Sequence, residues 1–423
     1  MFGQKMQDMP LLGVPITVKD SIAVKRMLFT GGLYSRRTNF ATEDATVIKN
    51  IRKAGAIPIA NSNVGELSMS TDTDNNFIGF TNNPYDLSRT PGAGGGGESA
   101  LIASGCSVVG VGADIAASLR WPAFCCGIFG HKVTSGILPV QGIFPEISEA
   151  ISHLFTIGPF CRYACDIIPM IKAMAGEDIK YLPNIDLPVD LSKIKLYYMF
   201  TDEDPFKPAL SEEIKSALLN VVNHFKTKYK IECSQVNFEE FSIAADLWTQ
   251  AFTQGHDFHE EMSNGTEKLS ICVEMLKSAF GLSKHTKRSL LFAYFARNDP
   301  NFDQSKVTTF ELLQKKFEET LRTDGVFLYP PMSTVAQTRI LTYLDSCNIG
   351  YTCIFNLLNA PVTQCPLGLN ADGIPLGIQV AANAYNDHLT IAVAKEIEAA
   401  FHGWVPPCCL RTDIDSLNES ITQ

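Results

Sequence analysis

Short apolar runs alternate with helical repeats of apolar residues along the first half of the chain. In the segment EDATVIKNIRK, Val47, Ile48 and Ile51 share one helical face, and Glu43 or Asp44 supplies an acidic first turn. ESALIASG predicts a second, short helix built from small residues. The apolar runs that predict strands are PITVK, which ends at Lys19, AIPIA at 56–60, and CSVVGVGAD at 106–114. This alternation favours an α/β fold with a largely buried sheet.

Longer amphipathic repeats replace this pattern from about 178 to 323. Segments such as SEEIKSALLNVVNHFKTKY and TTFELLQKKFEETLRTD carry most of the charge and predict helices with one apolar face. We interpret 178–323 as a helix-rich insertion within a single domain that spans 1–423.

The last part of the chain returns to strand patterns before one more helix. GVFLYPP predicts a buried strand, and NAPVTQCPLGLNADGIPLGIQVAA predicts a hairpin that turns at Asp372-Gly373. A final helix over 388–401 follows Asn386 and Asp387, which are favourable cap residues.

Composition and charge exclude several classes of function. The 423 residues are 45% hydrophobic and 19% charged, as in ordinary globular proteins of enzyme size. A net charge of -10 without a Lys/Arg cluster argues against a nucleic-acid partner. The 12 cysteines form no C-x-x-C pair and have no zinc-like spacing to the 8 histidines. We therefore expect reduced thiols and no metal.

Targeting patterns are lacking as well. The opening MFGQKMQDMPLLG has no signal-peptide pattern, and the most apolar later stretch, 101–119, contains Asp114 with several serines and glycines. We expect a cytoplasmic location or a cytosol-facing membrane surface.

Five glycines lie within six positions of the stretch RTPGAGGGGESALIASG, from Gly92 to Gly97. Such a run indicates that the backbone approaches another group closely. A dinucleotide fingerprint requires a preceding strand, but the polar, turn-rich NNPYDLSRTP stands there. A phosphate loop requires a lysine where Glu98 stands, and its carboxylate would repel phosphate. Neither nucleotide interpretation fits.

Four longer sequence motifs, one of which leads into the glycine run, point to a known family. GVPITVKD, NNPYDLSRTPG, GVGADIAASLRWPAFCCGIFGHK and APVTQCPLGLNADGIPLGIQV together resemble the amidase signature family, and its fatty-acid amide hydrolase branch in particular. The resemblance extends from about Pro10 to Pro406. It implies a mixed sheet flanked by helices and a hydrolase that uses a serine nucleophile, a second serine on a cis peptide, and a lysine, with no cofactor.

The resemblance assigns roles to individual residues. Lys19 matches the family's lysine, which acts as base and then acid, and Ser118 matches the nucleophile that forms an acyl-enzyme. A weak serine nucleophile needs such a base, and burial can keep a lysine neutral. Asp114 and Arg120 are expected to hold the loop as an ion pair. The backbone amides expected to form the oxyanion hole belong to Ile115, Ala116, Ala117 and Ser118.

Two departures from the family pattern affect activity. Gly94 stands at the position of the cis-peptide serine, which relays the proton between lysine and nucleophile, and Gly95 replaces the neighbouring serine. Ala116 and Ala117 stand where the family usually has two glycines. We expect weak or absent turnover, since a poorly positioned relay costs on the order of 10²-fold in rate. The alternative is a catalytically silent pseudo-amidase that binds lipid amides or a protein partner.

Nearby residues offer little replacement for the lost hydroxyl. Thr90, Ser99 and Ser104 are the closest candidates in sequence, and Ser99 is expected to face elsewhere from its helix. His131 is expected to be a packed, hydrogen-bonded histidine. The bulky residues that we expect mainly in the core, with an acyl channel as the alternative, are Phe144, Phe155, Trp248, Phe252 and Leu344.

Partners follow from the same resemblance. The small-molecule partner is expected to be an acyl amide or another lipid. Relatives of this branch generally begin with a helical segment ahead of the GVP strand. We expect a membrane surface or a second copy of the chain to cover apolar surface left without it.

Overall fold

The computed structural model describes residues 9–200, 208–255, 257–265, 269–295 and 304–408. The strands are β1 (Pro15–Lys19), β2 (Ile57–Ser62), β3 (Asp74–Asn75), β4 (Gly79–Phe80), β5 (Val109–Asp114), β6 (Phe129–Lys132), β7 (Thr156–Cys161), β8 (Lys195–Tyr198), β9 (Cys233–Gln235), β10 (Gly325–Tyr329), β11 (Val362–Leu369) and β12 (Pro375–Ala381). The α-helices are α1 (Thr46–Lys53), α2 (Gly96–Ala103), α3 (Arg120–Cys125), α4 (Ile167–Ala175), α5 (Glu212–Tyr229), α6 (Ala244–Gly255), α7 (Phe258–Met262), α8 (Ile271–Ala279), α9 (Lys287–Phe295), α10 (Gln304–Leu321), α11 (Gly350–Leu357) and α12 (Asp387–Phe401).

Ten of the strands form one mixed sheet in the order β2-β1-β5-β7-β6-β11-β12-β10-β8-β9. Pairing is parallel at both ends, among β2, β1 and β5 and among β10, β8 and β9. It is antiparallel through the middle of the sheet. A mixed sheet flanked by helices confirms the predicted α/β fold class.

Strand β1 shows why the apolar runs were visible in sequence. Ile16 and Val18 are fully buried on one face, and Thr17 and Lys19 are buried on the other. A strand covered on both faces reads as an almost continuous apolar run. Lys19 is therefore a charged residue that is itself buried at the end of this strand.

The prediction for the first helix is confirmed for its buried face but not for its first turn. Helix α1 buries Val47, Ile48 and Ile51 as predicted, but its first turn contains no acidic residue. Asp44 lies just before the helix, where it accepts the Lys25 backbone N–H and pairs with Arg52 at 3.0 Å. Sequence proximity alone does not place a carboxylate inside the first turn.

The cap expected for the last helix is a correction of the same kind. The Asn386 side chain makes no capping bond to α12. Asp387 is buried and accepts hydrogen bonds from the backbone N–H and the hydroxyl of Thr134. Its Oδ1 also lies 3.2 Å from Nε2 of His131, which is packed and hydrogen-bonded as predicted. Asp387 therefore joins α12 to the residues that follow β6.

The segment 178–323 contains α5 to α10 but also contributes to the sheet. Strands β8 and β9 lie within it and pair with β10 and with each other at one edge. Helix α6 packs against α11, which follows β10. The division into a single domain with an insertion stays a prediction.

Spanning a membrane would take a longer and more apolar helix than any in the described ranges.

Candidate active site

Lys19 ends β1 at the centre of the candidate site. Its side chain is 2% exposed, and its backbone pairs with Ser62 of β2. Burial lowers the pKa of Lys19 to about 8, although the negative charges of Asp114 and Glu98 act to raise it. About a tenth of such a lysine is neutral at pH 7. A buried strand end thereby provides an amine that is able to accept a proton.

Glu98 is a second buried titratable group near Lys19. It lies in the first turn of α2, directly after the glycine run, and accepts a hydrogen bond from the Thr17 hydroxyl at 2.6 Å. Thr17 is on the same face of β1 as Lys19, two residues earlier. Burial raises the pKa of Glu98 to about 7, while Thr17 and Lys19 act to lower it. Glu98 therefore influences how readily Lys19 is protonated.

The loop between β5 and α3 carries Ser118. Asp114, the last residue of β5, pairs with Arg120 through two contacts of 3.0 and 3.1 Å, and both side chains are fully buried. Asp114 also accepts the Leu119 backbone N–H at 3.0 Å and the Asn356 amide at 3.0 Å. Arg120 lowers the pKa of Asp114 against the opposing effect of burial. The ion pair thus ties both ends of the Ser118 loop to the sheet and to α11.

Backbone amides of this loop lack protein partners. The N–H groups of all four residues expected to form the oxyanion hole, Ile115, Ala116, Ala117 and Ser118, donate to no acceptor within the described chain. Neither alanine has a positive φ, so the methyl groups are carried without backbone strain. Four consecutive donors are therefore available, and the last three, of Ala116, Ala117 and Ser118, lie at the serine and directly before it.

The glycine run packs directly against this loop. A Cβ on Gly94 would lie 2.2 Å from the Ser118 Oγ, and one on Gly95 would lie 2.5 Å from the Ser118 carbonyl oxygen. Gly94 has a φ of +74°. The only cis peptide bond among the described residues joins Phe144 and Pro145, so the peptide bonds at Gly94 are trans. The group that the glycines approach is thus the serine itself.

Two cavities meet at Ser118. The smaller, of about 50 Å³, is lined by Lys19 and Ser118 together with apolar side chains that include Phe144, Phe155 and Phe252. The larger, of about 310 Å³, is lined by Ser118 and by residues of α6 and α9. The lining residues from α6 and α9 include Trp248, Leu291, Phe292 and Phe295, and those near Ser118 include Ala116, Ala117 and Trp121.

No cluster of His, Cys, Asp and Glu side chains in the described part of the chain has a geometry that would hold a metal ion.

Comparison with known proteins agrees with this arrangement. The model of the Amidase family matches residues 3–391. The chain belongs to the amidase family. Human fatty-acid amide hydrolase 2 is 40% identical over 410 residues, which cover 94% of this chain and 77% of that protein. The Danio rerio fatty-acid amide hydrolase 2-A is 37% identical, over 94% of this chain and 76% of its own. The chain is therefore a homologue of the amidase-family hydrolases and is related to fatty-acid amide hydrolase.

Solved structures share the fold of this amidase at lower identity. Allophanate hydrolase from Kluyveromyces lactis matches with a TM-score of 0.73 and 19% identity, over 93% of this chain and 63% of its own. A fatty acid amide hydrolase structure matches with a TM-score of 0.70 and 21% identity, over 94% and 74%. At this identity the likeness establishes the fold alone.

The three hydroxyls that sequence proximity suggested as replacements for the family's second serine are hydrogen-bonded elsewhere in this chain. Thr90 donates to Asp72 at 2.6 Å, and Ser99 lies in α2 and donates to backbone carbonyls at 3.1 and 3.3 Å. Ser104 donates to the Ala100 carbonyl at 2.7 Å. All three hydroxyls therefore donate to acceptors other than Ser118.

Sequence reasoning missed several side chains that line the cavities of this amidase. Ser21 lines the smaller cavity, Ser68 lines both, and Arg288 lines the larger one. Phe144, Phe155, Phe252 and Trp248, expected mainly as core, also line them, while the side chain of Leu344 lies outside the described residues. Ser68 follows Leu67, and both have positive φ, at +59° and +52°. No spacing in the sequence signals these positions, because they come from segments far apart in the chain.

Proposed function

We propose that this chain is a serine amidase that hydrolyses fatty-acyl amides, or esters, through an acyl-enzyme on Ser118, with turnover reduced by the glycine at position 94. The observation that carries the proposal is the position of Ser118. It lies at the junction of two cavities, beside three backbone amides that have no acceptor in the described chain, and it shares the smaller cavity with Lys19.

Lys19 is the base in this proposal. Its neutral amine accepts the proton of Ser118 as the serine oxygen bonds to the acyl carbon, and the resulting ammonium then donates a proton to the leaving nitrogen. The amides of Ala116, Ala117 and Ser118 stabilise the oxyanion that forms on the acyl oxygen. Water then attacks the acyl carbon while Lys19 accepts its proton, and Lys19 returns that proton to the Ser118 oxygen as the fatty acid leaves.

Proton transfer has to proceed without a hydroxyl at position 94. The smaller cavity has room for a few water molecules, and we assign one of them to the bridge between Lys19 and Ser118. A water bridge is held less firmly than a side-chain hydroxyl. We therefore expect rates on the order of 10²-fold below those of an enzyme with a fixed relay.

The two cavities suggest how a substrate is oriented. The larger one has the volume of a small-molecule pocket and mostly apolar walls, which suit a fatty-acyl chain. The leaving nitrogen must lie near Lys19 to receive a proton, and Lys19 lines only the smaller cavity. A cavity of about 50 Å³ favours ammonia or a short amine as leaving group. Primary fatty amides are therefore the preferred substrate class.

Labelling with a fluorophosphonate probe tests the proposal. The purified protein should be labelled, and the label should vanish in Ser118→Ala. A primary fatty amide should release ammonia in the wild type and not in Ser118→Ala or Lys19→Ala. Folded wild-type protein that neither reacts with the probe nor releases ammonia would refute the hydrolase proposal.

A pseudo-amidase that binds lipid amides is the second candidate. It is favoured by Gly94, where no hydroxyl relays the proton, and by the close contact between Gly94 and Ser118. This candidate predicts no labelling but saturable binding of a fluorescent fatty amide. Competition by an unlabelled primary fatty amide would distinguish binding in the larger cavity from non-specific adsorption.

The larger cavity also has an exposed apolar surface at its edge. Phe295 lines the cavity and is 71% exposed. Leu276, Phe280 and Leu282 lie in or directly after α8, which packs against α9, and are 63–73% exposed. We propose that this apolar rim contacts a lipid surface, from which a fatty substrate reaches the cavity. Phe280→Ser/Leu282→Ser should reduce sedimentation with phosphatidylcholine vesicles. An unchanged vesicle-bound fraction with a shift from dimer to monomer would assign the rim to a second copy of the chain instead.

A further inference from the structure

Trp248 connects the helix-rich segment to the Ser118 loop. It lies in α6, is 1% exposed, and donates its indole N–H to the backbone carbonyl of Ile115 at 2.7 Å. The Trp248 ring stacks on Phe252 with centroids 5.1 Å apart and an interplanar angle of 12°. This stacking holds the indole N–H in one direction.

Each carbonyl of the loop that precedes Ser118 has its own anchor. Trp248 holds the Ile115 oxygen, and the Arg120 guanidinium donates to the Ala116 oxygen at 3.0 Å. The Ala117 oxygen accepts the backbone N–H groups of Arg120 and Trp121, both at 2.9 Å. Two of these anchors come from the adjoining turn of α3, whereas Trp248 comes from a distant part of the chain.

Fixing a carbonyl also fixes an amide. In a trans peptide the C=O and the next N–H lie in one plane and point in opposite directions. The hydrogen bond from Trp248 to the Ile115 oxygen therefore sets the direction of the Ala116 N–H. Without that bond the 115–116 peptide can rotate about its flanking dihedral angles, and its N–H has no acceptor among the described residues to hold it.

We infer that Trp248 is a positioning residue for the oxyanion hole. From the helix-rich segment, Trp248 fixes the Ile115 carbonyl and thereby sets the direction of the Ala116 amide. The inference rests on the proposed function, because it assigns the Ala116 amide to the developing oxyanion. Complete loss of one oxyanion donor lowers the rate by about 10²–10³-fold. Partial misdirection should therefore cost about 10-fold or more.

The test variant is Trp248→Phe, which keeps an aromatic ring on Phe252 and removes the N–H. The chain contains 3 tryptophans, and the other two provide matched controls. Trp404 also donates its indole N–H to a backbone carbonyl, that of Ala103 at 3.1 Å, away from both cavities. Trp121 lines the larger cavity, but its indole nitrogen has no hydrogen-bond partner within the described ranges.

The kinetic measurement is the second-order rate of fluorophosphonate labelling. Trp248→Phe should label about 10-fold or more slowly, while Trp404→Phe should stay within 2-fold of the wild type. Trp121→Phe measures what a smaller ring in the same cavity does by itself. With a primary fatty amide, Trp248→Phe should lower kcat by a larger factor than it changes KM, whereas Trp121→Phe should act mainly on KM. Equal labelling rates for Trp248→Phe and Trp404→Phe would overturn the inference.

An equilibrium measurement tests the inference even where turnover is absent. A dodecanoate carboxylate presents an anionic oxygen to the amides, whereas dodecanol presents a neutral hydroxyl with the same chain. By calorimetry, Trp248→Phe should weaken the binding of dodecanoate several-fold more than that of dodecanol, because the smaller ring in the cavity wall affects both chains alike. An unchanged ratio of the two dissociation constants overturns the role of Trp248. Absence of labelling in the wild type instead counts against the proposed hydrolase, so the two failures are distinguishable.

Discussion

A serine at position 94 should destabilise this protein rather than simply add a hydroxyl beside Ser118. Gly94 has a φ of +74°, and a Cβ there would lie 2.2 Å from Oγ and 2.5 Å from Cβ of Ser118. A residue other than glycine in the left-handed region costs about 1–2 kcal/mol. Overpacking against a well-packed neighbour adds about 1–3 kcal/mol. Gly94→Ser should therefore lower the free energy of unfolding by about 2–5 kcal/mol.

A matched pair of variants separates these two contributions. Gly373, in the β11–β12 turn, has a nearly identical φ of +76°, but no atom of the described residues lies within 4 Å of the Cβ that an alanine would add. Gly373→Ala therefore measures the cost of the left-handed conformation by itself. Gly94→Ala measures the same cost plus the contact with Ser118. The difference between the two should be about 1–3 kcal/mol.

Urea unfolding followed by tryptophan fluorescence provides the comparison, with fluorophosphonate labelling as the second readout. If the loop keeps its trans peptides, Gly94→Ser should be less stable and should not label faster than the wild type. Equal stability of Gly94→Ala and Gly373→Ala would refute the predicted contact with Ser118. A stable Gly94→Ser protein that labels faster would show that the loop can take a second conformation and restore the relay.

Three further predictions concern the buried charges. The labelling rate should rise about tenfold per pH unit below pH 8 and level off above it. The reason is that the pKa of Lys19 is lowered to about 8 and the neutral amine is the reactive form. A rate that stays flat between pH 6 and 9 would exclude Lys19 as the base. Glu98→Gln should move the midpoint of that profile to lower pH, since the negative charge of Glu98 acts to raise the pKa of Lys19; a midpoint that stays in place would show that Glu98 remains neutral there. Arg120→Met should lower the free energy of unfolding by about 3–5 kcal/mol, because it leaves Asp114 charged and without its ion-pair partner in a fully buried position. In the same urea titration, the double variant Asp114→Asn/Arg120→Met should recover part of that loss.

Much of the fold was available from the sequence because its signals are local. The helical period of Val47, Ile48 and Ile51, the apolar run of β1 and the turn at Asp372-Gly373 each depend on residues within a few positions of one another. The same is true of the motifs around Lys19 and Ser118, whose order along the chain implied the family and hence the fold class.

Pairings across long stretches of chain were not available in this way. The bond from Trp248 to Ile115 joins residues 133 positions apart, and Asp387 meets Thr134 across 253. Neither contact has a spacing that the sequence could reveal, since each depends on how separate helices pack on the sheet. The placement of β8 and β9 at the edge of the main sheet was hidden for the same reason.

The glycine run shows most directly what each level of structure decides. The sequence by itself determined that no hydroxyl stands at positions 94 and 95, and a chain without those side chains cannot relay a proton through them. Only the tertiary structure decided that Gly94 lies against Ser118 with a positive φ, that Lys19 is buried enough to lose its proton near pH 8, and that three amides of the Ser118 loop keep no acceptor in the described chain. Composition sets which atoms are present, whereas burial and distance, which set pKa and reactivity, arise only when distant segments pack together.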